Sequence, residues 1–211
     1  MVPSRVRYPQ SSLLQFGMKR IFLDTETTGL SAQKDRIVEI AAIEVDDDLR
    51  PVKVFHAYLN PCQPVGYSER IHGLSDDFLK DKELFSDIAN ELVCFLNTAE
   101  VYAHNFPFDA GFLNAEFQRC GHPCLENIIG NGVDTLAIAR GLFPGERHSL
   151  DRLLERFDID GSGRSDHHGA LIDAQLLIEV FRAFVAEGEL RRITRQRLEE
   201  PRSVVVNLQD L

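Results

Sequence analysis

Lys19-Arg20-Ile21-Phe22-Leu23-Asp24-Thr25-Glu26-Thr27-Thr28-Gly29-Leu30 is the stretch on which the reading of this chain turns. A run of three large apolar residues with β-branched Thr25 two residues on predicts a short strand, Ile21–Thr25. That strand ends in two carboxylates at i and i+2, so Asp24 and Glu26 point to the same side of a sheet. Like charges placed this way repel unless solvent or a cation lies between them. Two acids alone fit a polar strand end as well as a functional site, so the rest of the chain has to decide.

Moving outward, Ile37–Val45 and Lys53–Leu59 are apolar or β-branched segments joined to the first by short polar turns. Connections of that length favour an antiparallel meander. Leu84, Ile88, Leu92 and Leu96 recur at helical spacing, with Phe85 and Phe95 beside them, and predict an amphipathic helix. Val101 to His104 reads as a short strand. Asn105 and Pro107 then read as the cap and first turn of a helix carrying Phe108, Phe112, Leu113 and Phe117. Further helices fit residues 135–140 and 149–157, the latter started by Ser149. The last helix is expected from about Gly169 to Val185, with Ala170, Ala174, Leu177, Phe181 and Phe184 on one face. Three antiparallel strands followed by alternating strands and helices describe an α/β mixed sheet flanked by helices.

The 211 residues suit one domain with residues 1–17 as a polar leader, 18–185 as the folded unit and 186–211 as a charged C-terminal tail. Hydrophobic residues at 44% and charged residues at 27% are those of a globular chain, which excludes disorder as the main theme. The formal charge of −10 belongs to the folded unit, where 16 Lys and Arg face 28 Asp and Glu, a net of −12. Such acidity argues against a nucleic-acid coat and against docking on an anionic membrane. Cys120-Gly-His-Pro-Cys124 brings His122 between two thiols. A structural zinc site wants a second ligand pair, which is missing, so a turn with reduced thiols is expected. With no disulfide framework, no signal segment and no membrane span, a reducing cytoplasm is the expected compartment.

Two more acids stand out. Asp109 lies four residues beyond Asn105, in the first turn of an apolar helix, where helix-dipole complementarity alone explains it. Asp173 is harder to explain. It has Ala170, Leu176 and Leu177 at i−3, i+3 and i+4, so it interrupts the apolar face of the last helix. A carboxylate facing a core needs an ion-pair partner, for which Arg36 and Arg140 are candidates, or a metal. His168 is rotated about 140° from Asp173 if both are helical, which places it on the preceding loop, with His167 as its neighbour and decoy. Four carboxylates on separate elements suit hard cations such as Mg²⁺, which prefer oxygen ligands.

In order and spacing these residues resemble the DEDDh family of 3′–5′ exonucleases. The family's first motif corresponds to Asp24 and Glu26, its second to His104-Asn-Phe-Pro-Phe-Asp109, and its third, H-x4-D, to His168 and Asp173. The linking segments Arg36-Ile-Val-Glu-Ile-Ala, Ile71-His-Gly-Leu, Asp134-Thr-Leu-Ala and Ser149-Leu-Asp are similar to the family's proofreading members.

The resemblance implies a ribonuclease H-like fold, an antiparallel three-strand meander plus parallel strands. It implies that Asp24, Glu26, Asp109 and Asp173 hold two Mg²⁺ or Mn²⁺ ions and that His168 is the general base. The implied reaction removes nucleoside 5′-monophosphates from the 3′ end of single-stranded or frayed DNA, in proofreading or repair, with a DNA polymerase subunit as implied partner. Family substrate contacts map onto Thr27, Leu30, Ile71, His72, Asn105 and Phe108. Trimming of RNA 3′ ends and a noncatalytic polymerase accessory role are the alternatives. The chain departs from the family in having bulky Phe106-Pro107 in the second motif. It also departs in showing no recognisable glutamine-led clamp-binding motif beyond Val185.

Overall fold

The computed structural model describes residues 18–164 and 168–199; the N-terminal leader, His167 and residues 200–211 lie outside it. Its centre is a five-stranded sheet in the order β3-β2-β1-β4-β5. β1 (Arg20–Thr27), β2 (Ile37–Val45) and β3 (Pro51–Tyr58) form the antiparallel meander. β4 (Glu100–Ala103) and β5 (Asn131–Asp134) run parallel to β1. β1 therefore lies at the centre, where its apolar run is covered on both sides.

The two faces of β1 feed two cores. Ile21 and Leu23 pack with α3 (Phe85–Leu96) and α4 (Phe106–Arg119). Phe22 points the other way, toward α5 (Thr135–Leu142), α6 (Leu150–Phe157) and α7 (Ala170–Glu199). There it stacks on Tyr102 at 4.8 Å between ring centres, and Phe181 of α7 meets both rings edge-on. By strand alternation Asp24 and Glu26 continue the Phe22 row and so face α7. Two single-turn helices, α1 (Glu69–His72) and α2 (Asp76–Leu79), link β3 to α3.

β5 and the two short helices are absent from the sequence reading. Asn131-Gly-Val-Asp134 has little strand propensity, and it is held as an edge strand by its pairing with β4. Gly132 is needed there, because a Cβ would fall 2.3 Å from the ring of Phe106. The bulky Phe106 of the second motif thus sits over a glycine that leaves room for it. The last helix also runs past the expected end at Val185 to Glu199. Its apolar face stops, but no proline intervenes and an i,i+4 pair between Glu187 and Arg191 at 2.7 Å supports the continuation.

Candidate active site

The carboxyl end of β1, the first turn of α4 and the first turn of α7 meet at one place; β1 brings two acids and each helix one. Asp24 and Glu26 arrive on β1 as the alternation requires. Asp109 is buried in the first turn of α4, where its Oδ1 accepts a 2.8 Å bond from Thr25 Oγ1. Asp173 is buried one turn into α7. The ligand atoms of Glu26, His168 and Asp173 lie within 4.8 Å of one another.

The aim of α4 depends on Asn105, which adopts a left-handed backbone at φ 75°. Its side chain makes no cap bond, contrary to the expected cap. Instead, Asp134 Oδ1 accepts from the Asn105 backbone N–H at 3.1 Å while also capping α5 through Leu136 N at 3.0 Å. His104 of the second motif is structural: its nitrogens engage Thr135 Oγ1 at 3.1 Å and the His148 carbonyl at 2.7 Å.

Crowding four acids raises their proton affinity. Asp24 is held well above the ordinary carboxylate range, first by loss of solvation and then by the charges of Asp109, Asp173 and Glu26. Glu26 is pushed up to about 8 by loss of solvation, then by Asp173 and Glu39. Asp109 rises to about 7, again through burial, with the Thr25 hydroxyl opposing. Asp173 is raised by burial against the opposing pull of Arg164. Such a set is short of positive charge.

The sequence candidates for a partner of Asp173 were wrong. Arg36 forms a fork on the buried Glu116, at 2.7 and 2.9 Å, and Arg140 is exposed. The partner is Arg164, from a 3₁₀ turn before α7. Its Nη2 donates to Asp173 Oδ2 at 2.8 Å, and its Nε stands 2.5 Å from Oδ1. A second group missed in the sequence is Glu39 on β2, paired in register with Glu26. Its Oε2 accepts from Ala170 N at 3.1 Å, and its Oε1 meets His56 Nε2 at 2.8 Å. The signal was present: Glu39 interrupts an apolar strand just as Asp173 interrupts an apolar helix.

His168 occupies the loop, as expected, with Nδ1 3.8 Å from Asp173 Oδ2. Its backbone N–H donates to the Ile71 carbonyl at 3.0 Å, which ties this loop to α1. Of the substrate-contact candidates, Leu30 is 87% exposed and Ile71 47% exposed, large apolar side chains open to a ligand. Tyr67, one turn before Ile71 and 73% exposed, belongs with them and was not singled out in the sequence. Asn105 is exposed, and half-buried Phe108 packs on Phe112 at 4.9 Å. Thr27 turns inward to the Gly29 carbonyl at 2.7 Å. His72, by contrast, is buried. Its Nδ1 accepts from Leu74 N and its Nε2 meets Ser68 Oγ, both at 3.0 Å, so it holds the α1 turn together.

The donor set fits divalent cations. It offers four oxygen-bearing acids with depressed willingness to ionise, and Asp173 Oδ1 is buried with no hydrogen bond. In the Cys120–Cys124 segment, Cys124 Sγ accepts from Asn127 Nδ2, and the four cysteines are free thiols.

A mixed sheet of this order, with four acids and a histidine at its parallel end, defines a nuclease of ribonuclease H-like fold. A family model described as "Exonuclease" (RNase_T) matches residues 21–181. The DNA polymerase III subunit epsilon of Rickettsia typhi is 43% identical over 190 residues, 89% of this chain and 81% of that protein. The Escherichia coli K12 protein of the same name is 38% identical over 205 residues, 84% and 83% of the two chains.

Exonuclease X in complex with 5′ overhanging duplex DNA matches 77% of this chain and 91% of that chain, at 27% identity and a TM-score of 0.57. Escherichia coli exonuclease I in complex with a dT13 oligonucleotide shares the fold, with a TM-score of 0.70 at 19% identity. That match covers 85% of this chain, which spans 43% of the exonuclease I chain. The chain belongs to the exonuclease family, DEDDh branch, and is a 3′–5′ exonuclease.

Proposed function

We propose that this exonuclease is the proofreading partner of a DNA polymerase in the cytoplasm. It removes nucleoside 5′-monophosphates one at a time from single-stranded or frayed 3′ ends, by a two-metal mechanism with His168 as base. The observation that carries this reading is the convergence of Asp24, Glu26, Asp109 and Asp173 beside His168. A chain that kept the fold only as a docking module would have no use for four mutually repelling acids. No helix among the described residues is long and apolar enough to cross a membrane.

Asp24, Glu26, Asp109 and Asp173 would hold two Mg²⁺ or Mn²⁺ ions. When bound, these would neutralise the acids and stabilise charge building on the attacking and leaving oxygens of the phosphodiester. The chain's own residues do the rest. His168, exposed beside Asp173, takes the proton of the attacking water as the phosphorus–oxygen bond to it forms. The bond to the 3′ oxygen of the penultimate nucleotide breaks, leaving a new 3′ hydroxyl and a 5′-monophosphate. Leu30, Ile71 and Tyr67 offer stacking and apolar surface to terminal bases, which favours ends that are already unpaired.

The acidity of the chain limits its grip. With net charge −10, binding beyond the few terminal nucleotides is weak, its salt dependence is shallow and processivity comes from the partner. Matched single strands of DNA and RNA, each labelled at the 3′ nucleotide and incubated with Mn²⁺, test the reading. Labelled mononucleotide should appear first from DNA; faster release from RNA would reassign the substrate, and labelled oligonucleotides would refute exonucleolytic action.

A further inference from the structure

Arg164 is the group in the site that the proposed chemistry leaves without a task. Its side chain is 7% exposed although it comes from a short surface turn. Among the described residues it is the only Lys or Arg paired with any of the four acids. It is also held from three sides: by Asp173, by Asp151 of α6 through Nη1, and by His168, whose Nδ1 lies 2.9 Å from Nη2. One guanidinium thus occupies both oxygens of an acid meant for metal and one nitrogen of the residue meant to move the proton.

Resting on the metal-site reading above, we propose that Arg164 is a latch. It stands in for the cation in the metal-free enzyme, pins His168 at the same time, and must withdraw when divalent ions load. Charge supports this. Four carboxylates with two divalent ions are already neutral, so the guanidinium would lose its attraction to Asp173 and keep the exposed Asp151 as its counter-ion. The geometry supports it too. Arg164 Nε and Asp173 Oδ1 face each other at 2.5 Å, yet both are buried without a hydrogen bond. The pair at Oδ1 is thus held by charge and not by a well-aligned hydrogen bond, which makes it a contact that metal ligation and outward movement of the turn can replace. Withdrawal would free His168 Nδ1, so that the general base is released only when the metals that need it are present.

Competition of this kind weakens apparent metal affinity by the fraction of molecules whose latch is open. Titration calorimetry with Mn²⁺ alone, without substrate, measures it. Arg164→Gln should bind Mn²⁺ roughly tenfold more tightly than the wild type, the gain expected if about one molecule in ten is open. Asp151→Asn is the sharper variant. Asp151 is 62% exposed and, among the described residues, its ion pair in the site is with Arg164, while its charge also disfavours ionised Asp173; neutralising it loosens the latch.

Simple electrostatics predicts weaker cation binding when a nearby negative charge is removed. The latch predicts the opposite, an affinity about two- to threefold higher, the scale of an exposed ion pair. In the Arg164→Gln background, Asp151→Asn should add nothing. Weaker Mn²⁺ binding in Asp151→Asn, or unchanged binding in Arg164→Gln, with the wild type binding normally, overturns the latch and leaves the metal site standing. No Mn²⁺ binding by the wild type at millimolar concentrations overturns both.

Discussion

Two halves of the active site are built in different ways. The half at the sheet end, with Asp24, Glu26 and Asp109, is fixed by backbone. Strand register places the first two, and α4 carries the third under a Thr25 hydrogen bond and an Asp134 brace. The half from the turn before α7, with Arg164 and His168, is fixed by side-chain ion pairs and a backbone bond to Ile71. Asp173 belongs to both, since it is helical but gripped by Arg164. The difference teaches a division of labour. The rigid half concentrates negative charge that repels itself, and the ion-paired half holds Arg164 as a local cation and, in the proposed mechanism, the proton carrier and the means to rearrange.

Asp24→Asn should break the contrast most. Removing an acid from the fixed half should lower turnover by about 10⁴-fold or more. Because Asp24 is crowded by three like charges, the same change should raise the melting temperature in EDTA. Asp173→Asn should bring no such gain, because it sacrifices the Arg164 pair. A drop for Asp24→Asn in EDTA would mean that the sheet end is not strained.

His168→Ala tests the other half. It should lower turnover by about 10²–10⁴ with Mn²⁺ affinity kept within a few-fold, and His167→Ala should do far less. Equal losses from the two histidines would refute the assignment of the base.

These outcomes separate what was legible in the sequence from what was not. The apolar run of β1 with its two acids, Ile37–Val45 as a strand, the α3 periodicity and the Ser149 start of α6 were readable, because each follows from local pattern or capping. Of the acids, Asp173 stood out locally as a misfit on an apolar helix face, whereas Asp24, Glu26, Asp109 and His168 were picked out together only through their family-like order and spacing. β5 was not, since Asn131-Gly-Val-Asp134 becomes a strand only by pairing with β4. Arg164 was not either. A lone arginine in a polar glycine-rich loop looks solvated, and only tertiary structure carries it to Asp173.

A smaller effect follows from the crowded acids. Glu26 and Asp109 titrate near 8 and 7 in the folded chain, above their ordinary values, so the folded state binds more protons than the unfolded state between those limits. Metal-free stability should therefore be full below about pH 4 for these two groups and lost as pH climbs through 7 and 8. The melting temperature in EDTA should fall by about 5 °C between pH 5 and pH 8, and millimolar Mn²⁺ should flatten that slope. A melting temperature that rises over this range would contradict the strained-site picture.

The least disruptive change joins the two halves. Glu39 ties β2 to the start of α7 through Ala170 N and is itself held by His56. Glu39→Gln keeps an acceptor and should alter turnover less than about threefold, whereas Glu39→Ala should cost about 1–3 kcal/mol of stability. It should also lower kcat more than KM, by loosening the loop that carries His168. Equal behaviour of the two variants would show that Glu39 acts by charge alone.

The central claim, that the fixed acids hold metal while His168 moves the proton, is tested most directly by one paired measurement. Mn²⁺ affinity and single-turnover cleavage of a 3′-labelled single strand are measured on the same samples of wild type, Asp24→Asn and His168→Ala. The expected result is mononucleotide release by the wild type, loss of both affinity and cleavage in Asp24→Asn, and normal affinity with slow cleavage in His168→Ala. Loss of Mn²⁺ binding in His168→Ala, or undiminished cleavage in Asp24→Asn, would contradict it.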